Sequence, residues 1–337
     1  MAPSLVPPRR ILRVSTAPVT AAIAAAFAVA FAVAFAAAFA MACGGASGGA
    51  PLRASHTADG AGAPALTDDF GDTLAITGRR PERIVSLNPA TTEMLFAMGQ
   101  GSHVVGRTRW DTYPAAARSV ADLGDGLRPN VEAVLSVHPD LVVLYAASDN
   151  RDAVQRLRAA GIMTLSVRDD RLGDFQRVLS LLGAALRDSL AARAVADSVT
   201  ASLARVSAAT SNLPPVTVVW PIEIAPLRVI GGGSYLNDLL IGAGGRNVYG
   251  ALSDPSPQVS LEDVLRRDPS VVLTTVAAER AMRADPRWQQ WLADTGHRIL
   301  VPDTALVGMP SVRMGAAEAQ LAHLLHPQPV HSGAALK

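Results

Sequence analysis

Trp110, Tyr145 and Trp220 are the side chains of this sequence best suited to holding a flat molecule, because aromatics make up only 4% of the chain and these three fall where apolar segments end or loops begin. At a rim, each ring could stack on a planar partner for about 0.5–1.5 kcal/mol beyond the area it buries. Turned inward, each would be ordinary core, and for Trp220 the two placements are equally open. Arg228 stands among apolar residues just before Gly231-Gly232-Gly233. Its guanidinium can pair with an anionic group or run its stem along the surface to water. The three glycines open a helix and could bring backbone N–H groups to an anion, but they lack G-x-G-x-x-G spacing, so a plain strand-to-helix turn is the expectation.

Covalent and acid–base chemistry find no footing. The sequence has no H-E-x-x-H, no G-x-S-x-G, no P-loop and no C-x-x-C. His103 and His138 fall at loop or helix-end positions, and His323 with His326 at helical spacing near the tail. They read as solvated or internally bonded histidines, so neither a metal site nor catalytic residues are expected. The chemistry that remains is non-covalent binding, and the protein is not read as an enzyme.

Two carboxylates mark a repeat. Asn130-Val131-Glu132-Ala133-Val134-Leu135 with Pro139 aligns without a gap on Ser260-Leu261-Glu262-Asp263-Val264-Leu265 with Pro269. Upstream, Leu95-Phe96 to Gly101 and Gly106 is echoed in the same order by Leu239-Leu240 to Gly245 and Gly250. The chain therefore reads as two similar halves with a glutamate at the same place on each, which implies a cleft between them and a partner that touches both.

The elements that must position these residues follow from pattern. Apolar runs at 83–87, 104–106, 141–145 and 162–167 read as short strands covered on both faces, as in a parallel sheet, with helices near 131–137 and 151–159 between them. Asn88 is a helix N-cap and Pro89 the first residue of a helix running to 98, which places Asn88 at the rim where open α/β sheets bind ligands. A long helix at 189–209 carries Val195, Val199, Leu203 and Val206 on one stripe. A second set follows: strands at 216–220, 271–275 and 299–301, and helices at 235–241, 261–267 and 312–325. The expected fold is α/β, two Rossmann-like lobes joined by a single long α-helix.

The amino terminus predicts export. Arg9, Arg10 and Arg13 precede an unbroken small-apolar run from Ala21 to Ala42 that ends at Cys43, the only cysteine of the chain. A single thiol excludes an intramolecular disulfide. Its place after Ala40-Met41-Ala42 resembles a lipoprotein signal, in which the thiol is acylated; a retained membrane anchor is the alternative. The expected organisation is a signal at 1–43, a flexible Gly/Ala/Ser-rich tether at 44–67, a first lobe at 68–170, connecting helices at 171–211, a second lobe at 212–326 and a disordered tail at 327–337. The protein would stand in the periplasm or at the cell surface, tethered to a membrane by lipid. A net charge of +1 offers no basic excess to recruit nucleic acid.

Arg83-Ile84-Val85-Ser86-Leu87-Asn88-Pro89 with Thr92-Glu93, Gly106 with Tyr113-Pro114, Pro139-Asp140-Leu141-Val142, Gly244-Gly245-Arg246-Asn247-Val248, Pro257-Gln258-Val259-Ser260 with Glu262, and the late Arg313 resemble the periplasmic binding proteins of ABC importers for cobalamin, ferric siderophores and haem. The resemblance covers residues 68 to 326 and implies the helical-backbone fold. It implies no cofactor, only a carried metal chelate. Glu132 and Glu262 match the glutamates that dock onto arginines of the two permease subunits, whose ATPase is a separate polypeptide. Among these proteins the chain looks most like the cobalamin binders: Trp110 matches a tyrosine on the corrin, Tyr145 a tryptophan of the pocket, and Asp303 with the residues to Met309 a ligand-contacting loop. Two other pocket tryptophans correspond here to Gly126 and Ser256, a departure from the cobalamin pattern. A ferric siderophore or haem is the alternative ligand, for which Arg109 and Arg228 could supply positive charge. A hydrolytic enzyme or a structural lipoprotein without a ligand is the alternative of another class.

Overall fold

The structure is a computed structural model and describes residues 66–74, 79–293 and 296–327. The expected export signal with Cys43, the expected tether as far as residue 65 and the tail from 328 lie outside the described residues. Leu66 already packs on the core and Thr67 bridges Thr73, so the folded body reaches slightly into the stretch read as tether. Ion pairs fasten this entry segment: Asp68 and Asp72 to Arg158 at 3.2 and 2.6 Å, and Asp69 to Arg177 at 2.6 Å.

Ile84–Leu87 (β1) is buried at every position, as a strand covered on both faces must be. Asn88 then leaves the strand with its side chain accepting from the Ala90 N–H at 2.9 Å, and Pro89 fills the first helical position, so Pro89–Ala97 (α1) starts at the strand's carboxyl end. Val104–Gly106 (β2), Val131–Ser136 (α2), Leu141–Tyr145 (β3), Arg151–Ala159 (α3) and Met163–Val167 (β4) follow. Their strands form a parallel sheet in the order β2-β1-β3-β4.

Asp174–Ala185 (α4) and Ser189–Thr210 (α5) come next, the latter 22 residues or roughly 33 Å long at 1.5 Å per residue. The Asp188 carboxylate caps α5 by accepting from the Ala191 N–H at 3.2 Å. Val199 is buried, and Val195 and Leu203 pack at the edge of the same core. The helix lies against α4 on one side and against elements of the following half on the other.

The second half runs Val216–Val219 (β5), Pro221–Ile224 (β6), Leu227–Val229 (β7), Tyr235–Gly242 (α6), Gly245–Asn247 (β8), Leu261–Arg267 (α7), Val271–Leu273 (β9), Val276–Ala284 (α8), Pro286–Leu292 (α9), Arg298–Leu300 (β10), Thr304–Val307 (α10) and Met314–Leu325 (α11). Four of its strands form a second parallel sheet, β10-β9-β5-β8, while β6 and β7 pair antiparallel. Numbered by appearance, both sheets have the order 2-1-3-4. The sequence echo is thus a repeat of topology: α2–β3 corresponds to α7–β9, and α1–β2 to α6–β8.

Alternation along each strand divides the core. Ile84, Leu141, Val143 and Leu165 of the first sheet and Val218, Val271 and Leu273 of the second join one cluster with α4, α5 and α11. Val85, Leu87, Val142 and Leu144 face α2 and α3 instead, and Val219 and Val272 face α7 and the Trp288–Trp291 pair. The hairpin β6–β7, the edge strand β8 and the helices α8 and α9 were not expected from pattern, and β5 ends at Val219 rather than 220.

The glycine triplet is the strand-to-helix turn and not an anion cradle. The Gly231 and Gly232 N–H groups already donate to the Pro255 and Leu252 carbonyls at 3.0 and 2.8 Å. A Cβ on Gly232 would stand 2.1 Å from the Gly250 carbonyl oxygen. Gly232→Ala is therefore expected to lower stability by about 1–3 kcal/mol through a backbone shift; a urea midpoint equal to wild type would show that the 250–255 loop yields freely.

Candidate functional site

In a parallel sheet of this order the first and third strands diverge into helices on opposite faces, and the crevice beyond their carboxyl ends is where such sheets place ligands. In the first half those ends lead into Asn88, the segment from Arg107, Tyr145 and the segment from Arg168; in the second, into Trp220, Thr274 and the segment from Val301.

Trp110 lies on the loop after β2 with 40% of its surface exposed, its backbone N–H donating to Thr108 Oγ1 at 3.2 Å. Arg107 holds this loop shut, donating to the carbonyls of Ala117, Thr108 and Arg118 at 2.8, 2.7 and 3.2 Å. Asp111 is buried with one oxygen accepting from the Thr108 N–H at 2.9 Å and from its hydroxyl. Burial outweighs those bonds and raises the Asp111 carboxyl above its ordinary value.

Tyr145 is half-buried at the end of β3, and its phenol donates to Asp170 Oδ1 at 2.7 Å. Burial first, then the neighbouring Asp170 charge, push the phenol's pKa up, so the proton stays on it. The expected stacking ring is therefore also a fixed donor. Beside it, the buried Asp169 accepts from Asn88 Nδ2 at both carboxylate oxygens, each at 3.2 Å. Its pKa is pushed up to about 7, by burial first and by the Asp170 charge, against the pull of Asn88. Asp169 also acts on Tyr235 and Arg171 on Asp238, so the loop after β4 faces the first turn of α6. Sequence reasoning missed Asp169, whose one visible signal was its position just past a predicted strand.

Three expected contributors have other engagements. Of the two placements open to it, Trp220 takes the inward one: it is only 5% exposed, packed in the main core, with its carbonyl accepting from the Ile230 N–H at 2.8 Å. The chain turns from β5 straight into the β6–β7 hairpin there. Arg228, on β7, donates to the Ser256 carbonyl at 3.2 Å and lies 3.6 Å from Glu223. Asp303 caps α10, accepting from the Ala305 N–H at 2.9 Å. Among the described residues no hydrogen bond, ion pair or ring contact joins any two of Trp110, Tyr145, Trp220, Arg228 and Asp303.

Between the halves stands an assembly the sequence supplied only as separate motif positions. Arg313, before α11, donates from Nε to both Glu93 oxygens at 3.1 and 3.0 Å and from Nη2 to Oε1 at 2.6 Å, across 220 positions of sequence. Its guanidinium carbon lies 4.5 Å from the Tyr113 ring centre.

The two echoed glutamates occupy matching places. Each is the second residue of its helix, α2 behind the Asn130 cap and α7 behind the Ser260 cap, with side chains 78% and 74% exposed. Each has an arginine from a following helix nearby, Arg156 at 2.9 Å from Glu132 and Arg287 at 3.9 Å from Glu262. The backbone N–H and Ser260 hold the Glu262 carboxyl below the usual range.

The sequence profile of the periplasmic binding protein family matches residues 84–298, from the first strand of one sheet to the last of the other. The chain belongs to that family. It is 28% identical over 275 residues to the uncharacterized ABC transporter substrate-binding lipoprotein YvrC of Bacillus subtilis, covering 78% of this chain and 86% of that one. It is 24% identical over 222 residues to the vitamin B12-binding protein of Vibrio parahaemolyticus, covering 66% and 80%. The periplasmic heme-binding protein RhuT of Roseiflexus sp. RS-1 superposes with a TM-score of 0.62 at 25% identity, covering 72% of this chain and 97% of that one.

In this periplasmic binding protein two surface grooves flank α5. One, of about 360 Å³, lies between α4 and α5 along Gln176, Ser180, Arg193 and Asp197; the other, of about 570 Å³, runs past Met98, Val195 and Val312. Neither touches the aromatic or acidic residues of the crevice.

An acid whose folded pKa is raised keeps its proton in the folded state while the unfolded chain, titrating near 3.8, has already lost it. Stability from Asp169 is therefore largest at low pH and falls as pH rises from about 4 to 7, staying flat above. Glu318, also pushed up to about 7 by burial, has the same sign. Asp169→Asn is thus expected to gain on wild type in urea as pH rises from 4.5 to 8; a difference independent of pH would contradict the assignment.

Proposed function

We propose that this protein is the solute-binding component of an ABC importer, which captures a corrinoid between two lobes and delivers it to a membrane permease. The observation that carries the reading is the duplicated 2-1-3-4 sheet, which sets two carboxyl-end rims and two equivalent glutamates on one chain. Family membership supports the binding role, and the relatives named for vitamin B12 support the ligand class. The helix α5 would be the connection between the lobes, and its rigidity would leave the cleft largely preformed. Trp110 and Tyr145 would supply ring contacts, with Arg228 and the 303–309 loop at the opposite wall.

Haem or a ferric siderophore is the second reading, supported by the likeness to the haem-binding structure and by exposed Arg109 beside Trp110, which could meet a carboxylate. Glu132 and Glu262 would dock onto permease arginines, a charge-assisted contact that fixes register and speeds encounter. The protein would reach the membrane through acylated Cys43, after export. ATP hydrolysis belongs to another polypeptide, and no enzymatic step falls to this one.

Titration of tryptophan fluorescence with cyanocobalamin, cobinamide, haem and a panel of ferric siderophores tests the ligand. Quenching by the two corrinoids is expected, and Trp110→Ala should weaken it about 2- to 13-fold, the worth of one stacked ring; quenching by a siderophore alone would overturn the choice. For docking, Glu132→Ala with Glu262→Ala should leave corrinoid affinity intact and abolish uptake in cells, whereas unchanged uptake would sink that role.

A further inference from the structure

We infer that Arg313 is a positioning residue, which through Glu93 and Tyr113 fixes where the Trp110 loop stands against the second half and so sets ligand affinity without touching ligand. The inference rests on the proposed binding space. Arg313 comes from the segment between β10 and α11, whereas Glu93 and Tyr113 belong to α1 and the loop after β2. Its side chain is 16% exposed and that of Glu93 2%. Two charges this far out of water persist only if each satisfies the other, and a two-pronged guanidinium–carboxylate contact fixes angle as well as distance.

The third member transmits that geometry. Tyr113 is 44% exposed although one face rests on the guanidinium, so little else holds its ring. It lies three residues after Trp110 on a loop that Arg107 closes at its base and within which the buried Asp111 accepts from the Thr108 N–H. The loop is therefore stiff, and a change in Arg313 moves it as a body instead of letting Tyr113 adjust alone. Arg313 has no local duty that competes: it makes no side-chain cap to α11. The sequence-derived assignment of Trp110 as a wall thus depends on a side chain more than 200 positions away.

The test uses Glu93→Met with Arg313→Met, which replaces the buried pair by apolar groups of similar length and should fold with a melting temperature at or above that of wild type. Tyr113→Leu is the second variant, removing only the cation–ring contact. Acrylamide quenching of the exposed Trp110 signal, isolated by subtracting the Trp110→Phe protein, reads the loop in the absence of ligand. Both variants should change that quenching about 2-fold and weaken cyanocobalamin binding on the order of 10-fold, the scale of one displaced aromatic contact, while Arg313→Lys with Glu93 intact should recover part of both. Unchanged Trp110 quenching, or changed quenching with unchanged affinity, would overturn the inference. If cyanocobalamin and cobinamide both fail to bind wild type, the corrinoid reading falls, and the quenching alone decides whether Arg313 positions the loop.

Discussion

The geometry of a small parallel sheet constrains everything built around it. Parallel neighbours cannot be joined by a tight turn, so each strand must return through a helix, and every strand ends on the same edge. In the 2-1-3-4 order the first and third strands send their chains to opposite faces, which opens a crevice at that edge with no further design. This chain solves the problem twice, and the paired use of α2–β3 and α7–β9 puts Glu132 and Glu262 at the second position of equivalent helices. Backbone connectivity, more than any one side chain, places the residues to which a function is assigned.

What joins the halves is a mixture of apolar packing and a few costly polar contacts. The cluster around α4, α5 and α11 draws on both sheets, and removal of its apolar surface from water is the general driving force. The polar contacts are more selective. The Glu93–Arg313 pair ties α1 to the segment before α11 across the halves, and the Asn88–Asp169 pair ties two strand ends within the first half; both are buried enough that a lost partner would leave a charge or a strong donor stranded. Such groups add little net stability over an apolar alternative, but they discriminate sharply between correct and shifted arrangements.

Much of the fold was legible because its elements carry strong local signals. The strands at Val104–Gly106 and Leu141–Tyr145, the helix Arg151–Ala159 and the repeat helix Leu261–Arg267 coincide with their expected bounds, each being an apolar run or periodic segment closed by cap or turn residues. Elements without such signals were missed. Gly245–Asn247 is an edge strand of a glycine, an arginine and an asparagine, recognisable only from its neighbour β5. Val276–Ala284 leaves Val276 exposed and buries only Met282, so its apolar stripe is too thin to read. The candidate site was less legible for the same reason at longer range. Trp220 reads equally as rim or core because its surroundings come from the hairpin, and Glu93, Tyr113 and Arg313 are each visible as motif positions while their contact, across 220 residues, is not.

In the proposed complex one ligand meets the carboxyl-end rims of both sheets at once. Hydrogen–deuterium exchange with and without cyanocobalamin tests this directly, because backbone amides report protection wherever the ligand seats or stiffens the chain. Simultaneous protection of segments 107–113, 145–148 and 168–171 in the first half and 302–309 in the second is the predicted result. Protection confined to one half, or to the grooves along α5, would contradict it.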